Sequence, residues 1–163
     1  QLTEIAGLVI PGGESSTLIH LMDRCDFWQP LQKFADDGGV ILGTCAGMIM
    51  LAKEITEQDP IPLSIMDIGV QRNAFGRQVD SFEQTLNVRA LDCGSFHGIF
   101  IRAPGIIRVG EGVTVLASLE DGRPVAVQQS NLLATAFHPE LAKDTRFHRY
   151  FLGIATSQVP NGS

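Results

Sequence analysis

Cys45 stands in the run Gly43-Thr44-Cys45-Ala46-Gly47, and His138 and Glu140 stand in Phe137-His138-Pro139-Glu140 much further along the chain. Cysteine, histidine and a carboxylate are the three side chains that thiol-based nucleophilic catalysis needs. The sulfur attacks, the histidine takes its proton and later returns one to a leaving group, and the carboxylate orients the ring. Histidine suits the middle role because its pKa lies near neutrality. Glu140 follows His138 by two residues, within reach of the ring in an extended turn. A nucleophile with glycine two residues to either side is the pattern of a nucleophile elbow, here with cysteine in place of serine.

The elements that must position these residues are legible around them. Gly39-Val40-Ile41-Leu42 is apolar and β-branched, of strand length, and Met48 to Lys53 is rich in helix formers and free of proline. Strand, sharp turn and helix would hold the sulfur clear of the sheet. The helix start would aim N–H groups and a positive dipole end at it, favouring thiolate. The bland alternative is a small cysteine filling core space. The apolar strand Leu132 to Phe137 carries His138 and Glu140 to the carboxyl edge of the sheet, where Cys45 also lies.

Other stretches open at the same edge. Ala6-Gly7-Leu8-Val9-Ile10 reads as a buried strand, too apolar for a sheet edge, and runs into Pro11-Gly12-Gly13-Glu14-Ser15-Ser16 before an amphipathic stretch from Thr17 to Met22. Backbone N–H groups of Gly12 and Gly13, with that of Ala46 directly after the cysteine, are natural donors to an oxyanion. A phosphate-binding loop would want a lysine or a third glycine that this run lacks. A tight turn with Ser15 or Ser16 capping the helix is compatible with either. Arginines in Arg72-Asn73-Ala74-Phe75-Gly76-Arg77-Gln78 and in Phe100-Ile101-Arg102-Ala103-Pro104 are suited to clamping a carboxylate, although most arginines are solvated surface groups.

Helices are also expected over Phe27 to Ala35 and Arg146 to Ala155, the latter with Phe147, Tyr150, Phe151 and Ile154 on one docking face. Asp59 to Pro62 reads as a loop, and residues 71 to 81 as a functional loop. Strand signals dominate over Glu83 to Leu91, Gly98 to Arg102, Val113 to Leu119, Val125 to Gln128 and Leu132 to Phe137, with a hairpin turn at Asp121-Gly122. Strand–helix alternation followed by hairpins predicts an α/β fold with a mostly parallel sheet, an antiparallel extension and covering helices.

The bulk composition excludes several classes. The chain has 163 residues, 44% hydrophobic and 18% charged, the proportions of one globular domain. A net charge of -6 leaves no basic footprint for nucleic acid or anionic membrane. No apolar run has the length of a membrane span. The three cysteines, Cys25, Cys45 and Cys93, follow no paired or metal-ligand spacing, as expected of free thiols in a reducing cytoplasm.

Taken together, Gly-x-Cys-x-Gly and His-Pro-Glu resemble the triad-type class I glutamine amidotransferases. The Pro-Gly-Gly-Glu-Ser-Ser, Arg-Asn-Ala-Phe-Gly-Arg-Gln and Phe-Ile-Arg-Ala-Pro runs narrow the resemblance to the glutaminase subunits of pyridoxal 5'-phosphate synthase, over about Leu8 to Ile154. The resemblance implies a three-layer α/β sandwich. Cys45 would be the nucleophile, His138 and Glu140 would complete the triad, and Gly13, Glu14, Ser15, Arg72, Ile101 and Arg102 would contact L-glutamine. It implies no metal or organic cofactor. Its partner would be the barrel-shaped synthase subunit, which builds pyridoxal phosphate from a pentose phosphate, a triose phosphate and the delivered ammonia. Rival readings are the glutaminase of another synthase, such as the imidazole glycerol phosphate enzyme, a cysteine peptidase or γ-glutamyl hydrolase of similar fold, and a regulatory module with a vestigial triad. Residues 1–163 are expected to be a single amidotransferase domain. They are also expected to lack a preceding strand–helix unit of roughly 30 to 40 residues, because family members carry one before the strand matching Ala6 to Ile10.

Overall fold

The computed structural model describes residues 2–57, 62–75, 80–92 and 94–157. The expected loop at Asp59 to Pro62 therefore lies almost wholly outside the described residues, as do Gly76, Arg77, Gln78 and Cys93.

A 3-10 turn at Leu2–Glu4 leads into strand β1 (Gly7–Ile10), then helices α1 (Ser15–Arg24) and α2 (Trp28–Asp36). Strand β2 (Val40–Thr44) feeds helix α3 (Ala46–Leu51), which passes directly into strand β3 (Ala52–Ile55). Strands β4 (Met66–Gln71), β5 (Ser81–Leu86), β6 (Phe96–Ile101), β7 (Gly105–Val109), β8 (Thr114–Ser118), β9 (Pro124–Gln129) and β10 (Leu132–Thr135) follow. A 3-10 turn at Pro139–Leu141 and helix α4 (Arg146–Ser157) complete the described chain.

The central sheet has the order β1-β2-β10-β9-β8. β1, β2 and β10 run parallel, and β9 and β8 extend the sheet antiparallel. A three-stranded sheet β3-β4-β7 and a hairpin β5-β6 stand beside it. Opposite faces of the parallel part are covered by different helices. A Cβ built at Gly43 would meet Gly47 and Leu51 of α3, whereas one at Gly7 would meet Phe151 and Ala155 of α4. These are the layers of a three-layer α/β sandwich, and β2, in the middle, is buried along its whole length.

Two expectations are corrected. The helix after the elbow ends at Leu51 rather than continuing through Lys53, because Ala52–Ile55 is captured by parallel pairing to β4. β1 is an edge strand: among the described residues it pairs with β2 alone, and only Ile10 is buried. α4 covers its Gly7 end through Phe151, while Val9, two residues on and on the same face, stays 44% exposed.

A chain of aromatic rings links the elements around the site. Phe75 lies 5.0 Å from Phe82, Phe82 stacks at 4.4 Å on Phe100, Phe100 meets Phe137 edge-on at 5.7 Å, and Phe137 meets Phe147 of α4 at 5.8 Å. Offset and edge-on pairs of this kind add stability beyond the area they bury. They join the turn after β4, the β5-β6 hairpin, the end of β10 and α4 into one packed unit.

Candidate active site

The elbow forms as its glycines require. A side chain at Gly47 would collide with the carbonyl oxygen of Ile10, and one at Gly43 would press on the Gly47 backbone. With both positions bare, α3 folds back tightly over β1 and β2. Cys45 takes the turn with φ 52° and ψ −106°, in the positive-φ region that non-glycine residues avoid. Its amide donates to the Thr135 carbonyl at 2.8 Å, and its own carbonyl accepts from Met48 at 3.0 Å, so both neighbours hold the strained residue. The side chain is 7% exposed, with the sulfur 3.8 Å from the carbonyl oxygen of Ile101.

β10 ends beside β2, and three residues further on the chain places His138. Its amide donates to the Ile99 carbonyl at 2.8 Å, tying the turn to β6. Nδ1 of the ring lies 2.7 Å from Glu140 Oε1, which leaves Nε2 as the nitrogen for the sulfur. The hydrogen bond with Cys45, then the one with Glu140, raises the His138 pKa from 6.5 to about 9, although burial opposes the charge. For Glu140, burial raises the pKa, but the hydrogen bond from His138, a backbone hydrogen bond and the charges of His138 and His148 together outweigh it and leave the carboxyl below its ordinary value. The arrangement favours an imidazolium between a carboxylate and a sulfur.

The β1–α1 loop closes over this group. A Cβ at Gly12 would overlap the His138 ring and stand 3.3 Å from Cys45 Cβ, so the bare backbone at position 12 is what lets the loop lie against both. Gly13 has φ 134°, a conformation glycine reaches without strain, and open space where a side chain would be. Ala46, next to the cysteine, is buried at the first position of α3. Glu14 occupies the N-cap position of α1 but its side chain does not cap the helix. That corrects the expected serine cap: Ser15 begins the helix with a buried side chain, and the Ser16 hydroxyl donates to Glu14 Oε1 at 3.1 Å.

Both arginines sit at strand ends facing the same edge. Arg72 is the first residue past β4, and its Nη2 donates to Glu14 Oε1 at 3.1 Å. Arg102 follows β6 directly, with φ 43°, beside the Ile101 carbonyl that touches the sulfur. Its amide donates to the Asp80 carbonyl at 2.6 Å and its Nε lies 3.4 Å from Asp80 Oδ1. The backbone therefore brings every residue expected at the site to one edge. Two carboxylates beside the arginines, Asp80 and Glu57, were not anticipated. Asp80 was findable only through register: Ser81 pairs with Ile101, which sets Asp80 opposite Arg102.

The sequence matches the SNO glutamine amidotransferase family over residues 1–157. The chain belongs to that family. Among relatives of this SNO family, pyridoxal 5'-phosphate synthase subunit PdxT of Herpetosiphon aurantiacus is 57% identical over 157 residues, covering 94% of this chain and 83% of the relative. The PdxT subunit of Deinococcus radiodurans is 51% identical over 160 residues, covering 95% of this chain and 81% of the relative. A crystal structure of a glutamine amidotransferase superposes with a TM-score of 0.86 at 49% identity, covering 93% of this chain and 79% of that one. PurLQS from Thermotoga maritima, at 16% identity and a TM-score of 0.67, shares the fold, covering 91% of this chain and 79% of that one. No helix among the described residues is long and apolar enough to cross a membrane.

Proposed function

We propose that this SNO-family chain is the glutaminase of a pyridoxal 5'-phosphate synthase, hydrolysing L-glutamine to glutamate and supplying the ammonia to a synthase subunit. The observation that carries the chemistry is a single imidazole held by Glu140 at Nδ1 and raised in pKa first by the side chain of Cys45. The PdxT names of relatives at 51 to 57% identity support the assembly.

In the proposed reaction the Cys45 thiolate attacks the side-chain carboxamide carbon of glutamine. The oxyanion that develops is met by backbone N–H groups of the Gly12-Gly13 loop and of Ala46. His138, held by Glu140, gives its proton to the departing nitrogen, and ammonia leaves a γ-glutamyl thioester on the sulfur. The now neutral His138 takes a proton from water, which cleaves the thioester to glutamate and restores the thiolate–imidazolium pair. Arg72 and Arg102 are suited to the α-carboxylate of glutamine, and Glu14 to its α-ammonium group. Gly13, Ser15 and Ile101 would shape the pocket with backbone atoms and small side chains. No step calls for a metal or an organic cofactor. Cys25 and Cys45 are free thiols, in keeping with a cytoplasmic setting. Residues 1–163 act here as one amidotransferase domain, and the open edge of β1 is where the strand–helix unit expected from the sequence would pair.

The test is Cys45→Ala in complex with the synthase subunit. Glutamine-dependent pyridoxal phosphate formation should vanish while added ammonium salt restores it, because only the ammonia source is lost. Glutamine-dependent synthesis persisting in a verified Cys45→Ala complex would overturn the assignment.

A further inference from the structure

Strands β3 and β4 run parallel with Ile55 opposite Val70, and both end at the edge that carries the site. Their last backbone rung is the Thr56 amide donating to the Val70 carbonyl at 3.1 Å. The Arg72 amide lies just past that rung in a partly buried position, where an amide needs an acceptor. Its acceptor is the Glu57 carboxylate, at 3.1 Å to Oε1 and 3.3 Å to Oε2, and the Thr56 hydroxyl steadies that carboxylate at 2.9 Å from Oε2. From the fixed Arg72 backbone the guanidinium reaches Glu14, the residue after Gly12-Gly13. Glu57 thus holds the Arg72 main chain while the Arg72 side chain holds Glu14, and Arg72 bridges the end of the β3-β4 sheet to the loop lying against His138.

We infer that Glu57 is a positioning residue for substrate: it fixes the Arg72 backbone at the exit of β4, so that the guanidinium is held ready for the glutamine carboxylate. This rests on the reading of Arg72 as a glutamine contact. A charge-assisted hydrogen bond to a backbone amide is among the stronger kinds. Losing it while leaving the amide partly buried should cost on the order of tenfold in glutamine affinity.

The test measures steady-state glutaminase kinetics of the full-length protein in complex with the synthase subunit. Glu57→Ala should raise KM for glutamine about tenfold with kcat nearly unchanged and ammonium-driven synthesis intact. Glu57→Gln, which keeps one oxygen acceptor, should recover most of the affinity. Arg72→Ala should raise KM by itself, and Glu57→Ala added to it should raise KM no further, since Glu57 acts through the Arg72 side chain. An unchanged KM in Glu57→Ala, or an additive effect in the double variant, would overturn the inference. An unchanged KM in Arg72→Ala would instead overturn the glutamine contact on which it rests.

Discussion

At the scale of single residues the site is an electrostatic arrangement around one ring. His138 is raised to about 9, first by its hydrogen bond with Cys45 and then by Glu140. A group whose pKa is higher in the folded protein favours folding while it is protonated in both states or in the folded state alone. Its contribution is therefore fully present below about 6.5 and is lost as pH rises through about 9. Denaturation followed across that window should show stability falling towards pH 9, and less so in Cys45→Ala, where the largest cause of the shift is gone. Titration of the ring by NMR should show its pKa moving down towards the ordinary histidine value in the same variant. A wild-type ring that titrates near 6.5 and ignores the substitution would contradict the thiolate–imidazolium pair. Both positive-φ residues flanking the sulfur, Cys45 and Arg102, are held by backbone hydrogen bonds from neighbouring segments, so local strain at the site is sustained by the surrounding fold.

At the scale of elements, legibility in the sequence follows the range of the interactions involved. The elbow can be read because its signals are local: an apolar β-branched strand, two glycines at fixed offsets and a run of helix formers. The same holds for β10 with His138 and Glu140, and for the hairpin turn at Asp121-Gly122. β3 cannot be read in this way. Ala52-Lys53-Glu54-Ile55 continues a helix-forming run and becomes strand only because β4 pairs with it. β4 and β7 pair with each other across a long sequence separation, which no local signal announces. Glu57 and Asp80 look like ordinary loop carboxylates until strand register sets each beside an arginine. The aromatic chain belongs to the same long-range class, with Phe100 at its centre between Phe82 and Phe137 and fully buried. Phe100→Ala should cost about 3–5 kcal/mol in denaturant unfolding. It should also weaken glutamine binding, because Phe100 adjoins Ile101 and Arg102 and packs towards Phe75 in the turn after Arg72. A loss below 1 kcal/mol, or full stability loss with glutamine affinity untouched, would show that the rings do not hold the site segments together.

At the scale of the whole molecule the site is a meeting of strand ends from the central sheet, the β3-β4-β7 sheet and the β5-β6 hairpin. Its loops are therefore held by several sheets, but Gly12-Gly13 stays able to turn a peptide at little steric cost. An N–H turned away from the oxyanion forfeits roughly 10²–10³ in rate, and contacts from a synthase subunit near that loop would shift the population towards the competent form. Glutaminase turnover should accordingly rise by that order when the synthase subunit is added, and equal rates with and without it would count against such a switch. The most direct measurement of the proposed chemistry is the covalent intermediate. The complex is mixed with glutamine, quenched in acid within a turnover, digested and weighed by mass spectrometry. The proposed mechanism predicts one γ-glutamyl group on the peptide that carries Cys45 and none in Cys45→Ala. Ammonia released without any acyl group on that cysteine, or an acyl group found on another residue, would contradict it.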